Sequence, residues 1–151
     1  MGMQIVGYDP LISGDEIARR GAEPVSLAEL YQRSDFISVH VPLTSETKGL
    51  LTGQSFAQMK RGVRLVCTAR GHIMDETTLL GALETGQVAG AALDVFASEP
   101  PGLTGLVSHP HVIATPHIAA QTLEAQSRAA EDIAQEVLAA LRGAPLRWRI
   151  V

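Results

Sequence analysis

Short apolar runs alternate along this chain with segments whose apolar residues recur at helical spacing. Met3-Gln-Ile-Val-Gly-Tyr8 predicts a short buried strand ending at Asp9-Pro10. Ser13-Gly-Asp-Glu16 fits a capping box, and Gly21 closes the short helix it opens. Ser26-Leu-Ala-Glu29 is a second box, opening a helix through about Arg33. Asp35 precedes the β-rich run Phe36-Ile-Ser-Val-His-Val41, which Pro42 ends. Thr52 begins a helical turn carrying Phe56 and Met59, and Gly62 leads into the strand Val63 to Thr68. Asp75 caps a helix from Glu76 to Thr85, and Gly86 stops it. Val88 to Leu93 and His111 to Thr115 are further apolar runs, the second ended by Pro116. A long amphipathic helix follows at about 122–142, with Ala130, Ile133, Val137 and Leu141 on one face.

Strands alternating with helices, most of them apolar on both faces, predict a parallel sheet covered on two sides. The fold class is α/β, a doubly wound parallel sheet, read as one domain over residues 1–151. Hydrophobic residues make up 46% and charged residues 19% of the chain, which argues against disorder. Aromatics are only 4%, which favours tight helix–sheet layers. The net charge of -4, without a basic block, gives nucleic-acid binding no electrostatic support. No apolar run is long enough for a membrane span, and no signal-peptide pattern opens the chain. Cys67 is the only cysteine, so a reducing, cytoplasmic setting is the expectation. His72, His109 and His111 make no metal-ligand set, and no metal is expected.

In a doubly wound sheet, ligands bind beyond the carboxyl ends of the strands. The residues just past each apolar run are therefore informative. They are Asp9, then His40 and Pro42, then Arg70, then Asp94 and Glu99, and finally His117. A cation, an acid and an imidazole fall on one predicted edge. Alone, Arg70 reads as an ion-pair partner, Glu99 as a loop acid and His117 as a capping histidine. The ordered set is what points to chemistry.

Val66-Cys-Thr-Ala-Arg-Gly71, Ala92-Leu-Asp-Val-Phe-Ala-Ser-Glu-Pro-Pro101 and Thr115-Pro-His-Ile-Ala-Ala-Gln-Thr122 resemble the arginine, glutamate and histidine motifs of the D-2-hydroxyacid dehydrogenases. Gly7-Tyr-Asp-Pro10 and His40-Val-Pro-Leu-Thr44 match as well, in the family's order. Pro100-Pro101 and Glu124-Ala-Gln126 lean towards the phosphoglycerate dehydrogenase branch. The resemblance implies a Rossmann-like NAD-binding domain that acts on a 2-hydroxy or 2-keto acid, 3-phosphoglycerate-like, as a homodimer. It implies His117 as proton donor and acceptor, Glu99 as the group orienting that ring, and Arg70 as the fork on the substrate carboxylate. Asp94 would take the nicotinamide carboxamide. Asp9 would take the adenosine ribose hydroxyls and repel a 2′-phosphate, which favours NAD over NADP. Val41, Pro42, Thr68, Ala69, Ala119 and Ala120 would line the cofactor. A non-catalytic, NAD-responsive corepressor of the C-terminal-binding-protein type and an inactive fragment stay open as alternatives.

The sequence departs from the family at Cys67, where Asn is usual, and at Ala119 and Gln121, where Gly and Ser are common. It also contains no glycine-rich GxGxxG turn to cradle a pyrophosphate. Compared with the family, it starts at the second strand. A central strand is expected to be wanting between the runs beginning at Met3 and Phe36. A rearranged sheet, or an oligomer closing the gap, is then expected, together with weak or no NAD binding by these residues alone.

Overall fold

The computed structural model describes residues 2–149; residues 1, 150 and 151 of the expected domain lie outside the described part. The chain divides into two compact units, residues 1–116 and 117–151.

The described residues of the first unit form six strands and four helices. In chain order these are β1 (Val6–Gly7), α1 (Gly14–Arg19), β2 (Glu23–Pro24), α2 (Leu27–Arg33), β3 (Phe36–Val39), α3 (Gly53–Gln58), β4 (Val63–Cys67), α4 (Glu76–Glu84), β5 (Val88–Leu93) and β6 (Val112–Ala114). Strands β3-β4-β5-β6 form one all-parallel sheet in that order, while β1 and β2 form a separate parallel pair. A parallel connection needs a crossover, and α1 lies between β1 and β2, α3 between β3 and β4, and α4 between β4 and β5 accordingly. The core is the interior of the larger sheet and its helices: Leu65, Val63, Val88, Phe56, Leu79, Ile73 and Leu51 are all buried.

Local chemistry sets the helix ends. Ser26 accepts from the Glu29 N–H while the Glu29 carboxylate accepts from the Ser26 N–H, a complete capping box that opens α2. The Ser26 hydroxyl also donates to the Glu29 carboxylate, and that bond, together with the one from the Ser26 N–H, holds the Glu29 carboxyl below the usual carboxylate range. The box expected at Ser13 is only half made. Ser13 accepts from the Glu16 N–H, but the Glu16 carboxylate bonds Arg19 and Arg20 instead. Asp75 accepts from the N–H groups of Thr77 and Thr78 and starts α4.

Three expectations are corrected. The run from Met3 is not a buried strand: only Val6–Gly7 is strand, and Ile5 is 64% exposed, because β1 has a neighbour on one side only. Nor is the run at His111 covered on two sides; β6 is the sheet's edge and Ile113 is 68% exposed. The sheet is not rearranged around a wanting strand either: an open groove lies between β1 and β3. Strand β2 carries no sequence signal, since Glu23–Pro24 is short and contains proline.

The second unit is a turn at Ile118–Gln121 followed by α5 (Leu123–Leu141), which Thr122 caps by accepting from the Ala125 N–H. None of the residues of α5 is buried, and Ile133, Val137 and Leu141 are exposed. None of the helices among the described residues is long and apolar enough to cross a membrane.

Candidate active site at the carboxyl edge of the sheet

Register aligns the strand ends. Val39 pairs with Cys67, Cys67 with Leu93, and Leu93 with Ala114. The next residue of each strand is therefore in one row: His40, Thr68, Asp94 and Thr115. Side chains at one level of a parallel sheet share a face, and hydrogen bonds along the row bear this out. Thr115 Oγ1 donates to Asp94 Oδ1 at 2.5 Å, and the Thr68 hydroxyl and His40 Nδ1 are 3.5 Å apart. His40 Nε2 lies 2.7 Å from the Ser38 hydroxyl. Asp94 is buried, its N–H carrying the ladder one step further by donating to the Cys67 carbonyl.

Beyond that row the Arg70 and Glu99 loops are locked together. A Cβ on Gly71 would lie 2.0 Å from the Phe96 carbonyl oxygen, so the two backbones approach as only glycine permits. The Phe96 N–H in turn donates to Glu99 Oε1 at 3.0 Å. The neighbouring Ala97 N–H donates to Glu76 Oε1 at 2.6 Å, which ties the acid's loop to the first turn of α4. Arg70 is exposed and donates from Nη1 to the Ala69 carbonyl at 2.7 Å. Ala69 is buried beneath it, and Thr68 is half-buried. Burial pushes the Cys67 thiol up, against hydrogen bonds from the Ala69 and Arg70 N–H groups that pull it down.

The remaining sequence-predicted residues occupy separate places. Val41 is half-buried and Pro42 exposed, its carbonyl accepting from the Thr47 hydroxyl at 2.5 Å. Asp9 is exposed past β1, where Oδ1 accepts from the Leu11 N–H at 2.9 Å in a turn. His117 opens the second unit three residues past the end of β6, with φ at 55°, a left-handed conformation uncommon outside glycine. Ala119 and Ala120 are exposed in the turn that follows. Sequence reasoning quoted Gly71 and Thr115 inside motifs without giving them a role, and passed over Glu76. Their function is tertiary contact, which leaves no periodic signal. Glu76 beside the capping Asp75 is simply a favourable first-turn acid.

Asp9 is an exposed carboxylate beyond β1, and Asp94 is a buried one fixed by Thr115 beyond β5.

Residues 1–119 match the model of the D-isomer specific 2-hydroxyacid dehydrogenase, NAD binding domain. D-3-phosphoglycerate dehydrogenase of Rattus norvegicus is 51% identical over 145 residues, which cover 96% of this chain and 27% of that protein. A D-lactate dehydrogenase from Treponema pallidum superposes with a TM-score of 0.89 at 36% identity, over 97% of this chain and 48% of that one. A D-lactate dehydrogenase from Aquifex aeolicus, complexed with NAD and lactic acid, gives 0.84 at 34% identity, over 94% and 47%. The chain thus spans about a quarter of the length of the curated relatives it matches. It belongs to the family of NAD-binding domains of the D-isomer specific 2-hydroxyacid dehydrogenases.

Proposed function

We propose that these residues form the nicotinamide-holding and acid–base part of a dehydrogenase that moves a hydride between NAD and a D-2-hydroxyacid of the 3-phosphoglycerate type. The observation that carries this reading is the locked pair of loops at the carboxyl edge: Gly71, next to Arg70, packs on the Phe96 carbonyl, and the Phe96 N–H donates to Glu99. NAD, when bound, supplies the hydride acceptor or donor. Arg70 pairs its guanidinium with the substrate carboxylate and polarises the adjacent carbonyl. His117 exchanges the proton of the hydroxyl, since an imidazole can both donate and accept one. Glu99 is the acid assigned to orient that ring. Asp94, fixed by Thr115, accepts from the carboxamide of the nicotinamide. Asp9 accepts from the adenosine ribose hydroxyls and disfavours a 2′-phosphate, so NAD binds more tightly than NADP. Val41, Pro42, Thr68, Ala69, Ala119 and Ala120 line the cofactor.

The working unit in this reading is a homodimer in the cytoplasm. The exposed Ile133, Val137 and Leu141 of α5 suit a subunit contact, and a reducing compartment suits the lone thiol of Cys67.

The test places these residues in the D-3-phosphoglycerate dehydrogenase framework, in place of its matching 145-residue region. It follows NADH oxidation with the 2-keto acid derived from 3-phosphoglycerate. The expected result is turnover that His117→Ala lowers ~10²–10⁴-fold and that Arg70→Ala weakens mainly through KM. A chimera whose turnover is indifferent to His117→Ala overturns the assignment. Equal or tighter binding of NADP by calorimetry overturns the role of Asp9.

A further inference from the structure

The loop that carries Glu99 is held from outside by an acid of another element. Glu76 is the first residue of α4, beside the capping Asp75. Its base is firm: Leu79 and Leu83 of α4 are buried in the core, and the Asp75 N–H donates to the Leu51 carbonyl at 2.8 Å. Glu76 is half-buried, and its Oε1 accepts from the Ala97 N–H at 2.6 Å. A carboxylate acceptor makes such a bond short and strong. The N–H and C=O of a trans peptide point in opposite directions. In the Phe96–Ala97 peptide the N–H meets Glu76, while the carbonyl faces Gly71 so closely that a Cβ there would lie 2.0 Å from its oxygen. That peptide plane is pinned from both sides. The preceding N–H, that of Phe96, donates to Glu99 Oε1 at 3.0 Å. Successive backbone donors thus meet the carboxylates of Glu99 and Glu76. Glu76 also lines one small cavity with Arg70 and Gly71, at the junction of the two loops.

We propose that Glu76 is a positioning residue for the dehydrogenase reaction: it fixes the Phe96–Ala97 peptide and thereby sets where Glu99 presents its carboxylate. This role rests on the assignment of Glu99 to the ring of His117. Without the Glu76 carboxylate, the Ala97 N–H loses its acceptor and the peptide is held from the Gly71 side alone. Rotation about the bonds flanking that peptide redirects the chain through Ser98 to Glu99. A first-turn charge on α4 is the weaker account of Glu76. It asks for a negative charge near the helix end and not for a bond to Ala97.

The experiment compares Glu76→Ala, Glu76→Gln, Glu99→Ala and the double variant Glu76→Ala/Glu99→Ala in the D-3-phosphoglycerate dehydrogenase chimera. Glu76→Ala should lower kcat ~10–100-fold, the size of effect a small misplacement of a reacting group produces, with KM for NADH little changed. It should also speed amide exchange at Ala97 at least ~10-fold. Glu76→Gln keeps an oxygen acceptor and drops the charge, so its kcat and its Ala97 exchange should stay close to the parent. In the Glu99→Ala background, Glu76→Ala should have little further effect on kcat, because the two act as one unit. If the alanine variant fails to fold, Glu76→Asp keeps the first-turn charge and shortens the reach. A fall in its kcat supports the role, and a parental kcat overturns it. Three outcomes overturn the proposal and leave the proposed activity standing: kcat sensitive to Glu99→Ala but not to Glu76→Ala, equal losses in Glu76→Gln and Glu76→Ala, or full additivity with Glu99→Ala. Turnover indifferent to Glu99→Ala overturns the assignment of Glu99, and this role of Glu76 with it.

Discussion

Strands β4 and β1 are both parallel and both come from apolar stretches, yet Leu65 within β4 is 1% exposed, while Val6 and Gly7 of β1 are half-buried and Ile5 just before them is 64% exposed. The difference is in their neighbours. Strand β4 has β3 on one side and β5 on the other, with α3 and α4 contributing Phe56 and Leu79 to the same core. Strand β1 has β2 alone, and β2 is two residues long with a proline. Apolar sequence supplies the tendency to be buried, but burial itself requires atoms on every side.

The comparison predicts unequal costs for the same kind of truncation. Leu65→Ala should destabilise the chain by about 2–5 kcal/mol in urea unfolding, through lost transfer energy and the cavity left behind. A cost below about 1 kcal/mol would remove the distinction between the two regions. Gly71→Ala should come next, at about 1–3 kcal/mol, because a backbone carbonyl stands where the new methyl must go. In the chimera it should also raise KM more than it lowers kcat, by displacing Arg70; unchanged kinetics would mean that the loop contact does not position the guanidinium.

Between the two regions lies α2, which joins β2 to β3. Ser26→Ala should cost about 1 kcal/mol by deleting its cap. The same change should flatten part of the acid limb of a stability–pH profile. Ser26 depresses the folded-state pKa of Glu29. That contribution is present above the ordinary carboxylate value and is lost as pH falls through the depressed one. An acid limb identical in the variant would show that the capping box is not the source. Ile5→Ala should have the smallest effect, within about 0.5 kcal/mol, since the side chain is already largely in water. A larger loss would mean that the β1 wall is covered in solution, which concentration dependence of unfolding would reveal.

Much of the larger sheet was legible because its signals are local. Ser26 with Glu29, Asp75 before Glu76, Gly86 after the helix, and the uninterrupted run Val88 to Leu93 each act over a few residues. The structure places them close to where the pattern does. Parallel strands also made the carboxyl edge readable, because the residue after each strand falls in one row once the register is in phase. Asp94 falls in that row, while Arg70 and Glu99 lie further along the loops that leave β4 and β5. Strand β2, the exposure of β1 and β6, and the missing half of the Ser13 box were not legible. Each depends on what lies across space rather than along the chain.

Sequence by itself determined the alternation of strand and helix, the family, and the residues offered at the carboxyl edge, since periodicity, caps and motifs are written in near neighbours. Tertiary structure alone decided that Gly71 lets the Phe96 backbone pass, that Thr115 holds Asp94, and that the β1–β3 gap remains an open groove. The physical reason is that hydrogen bonds and close packing between residues 21 or more positions apart are fixed by register and neighbours, which no local pattern encodes.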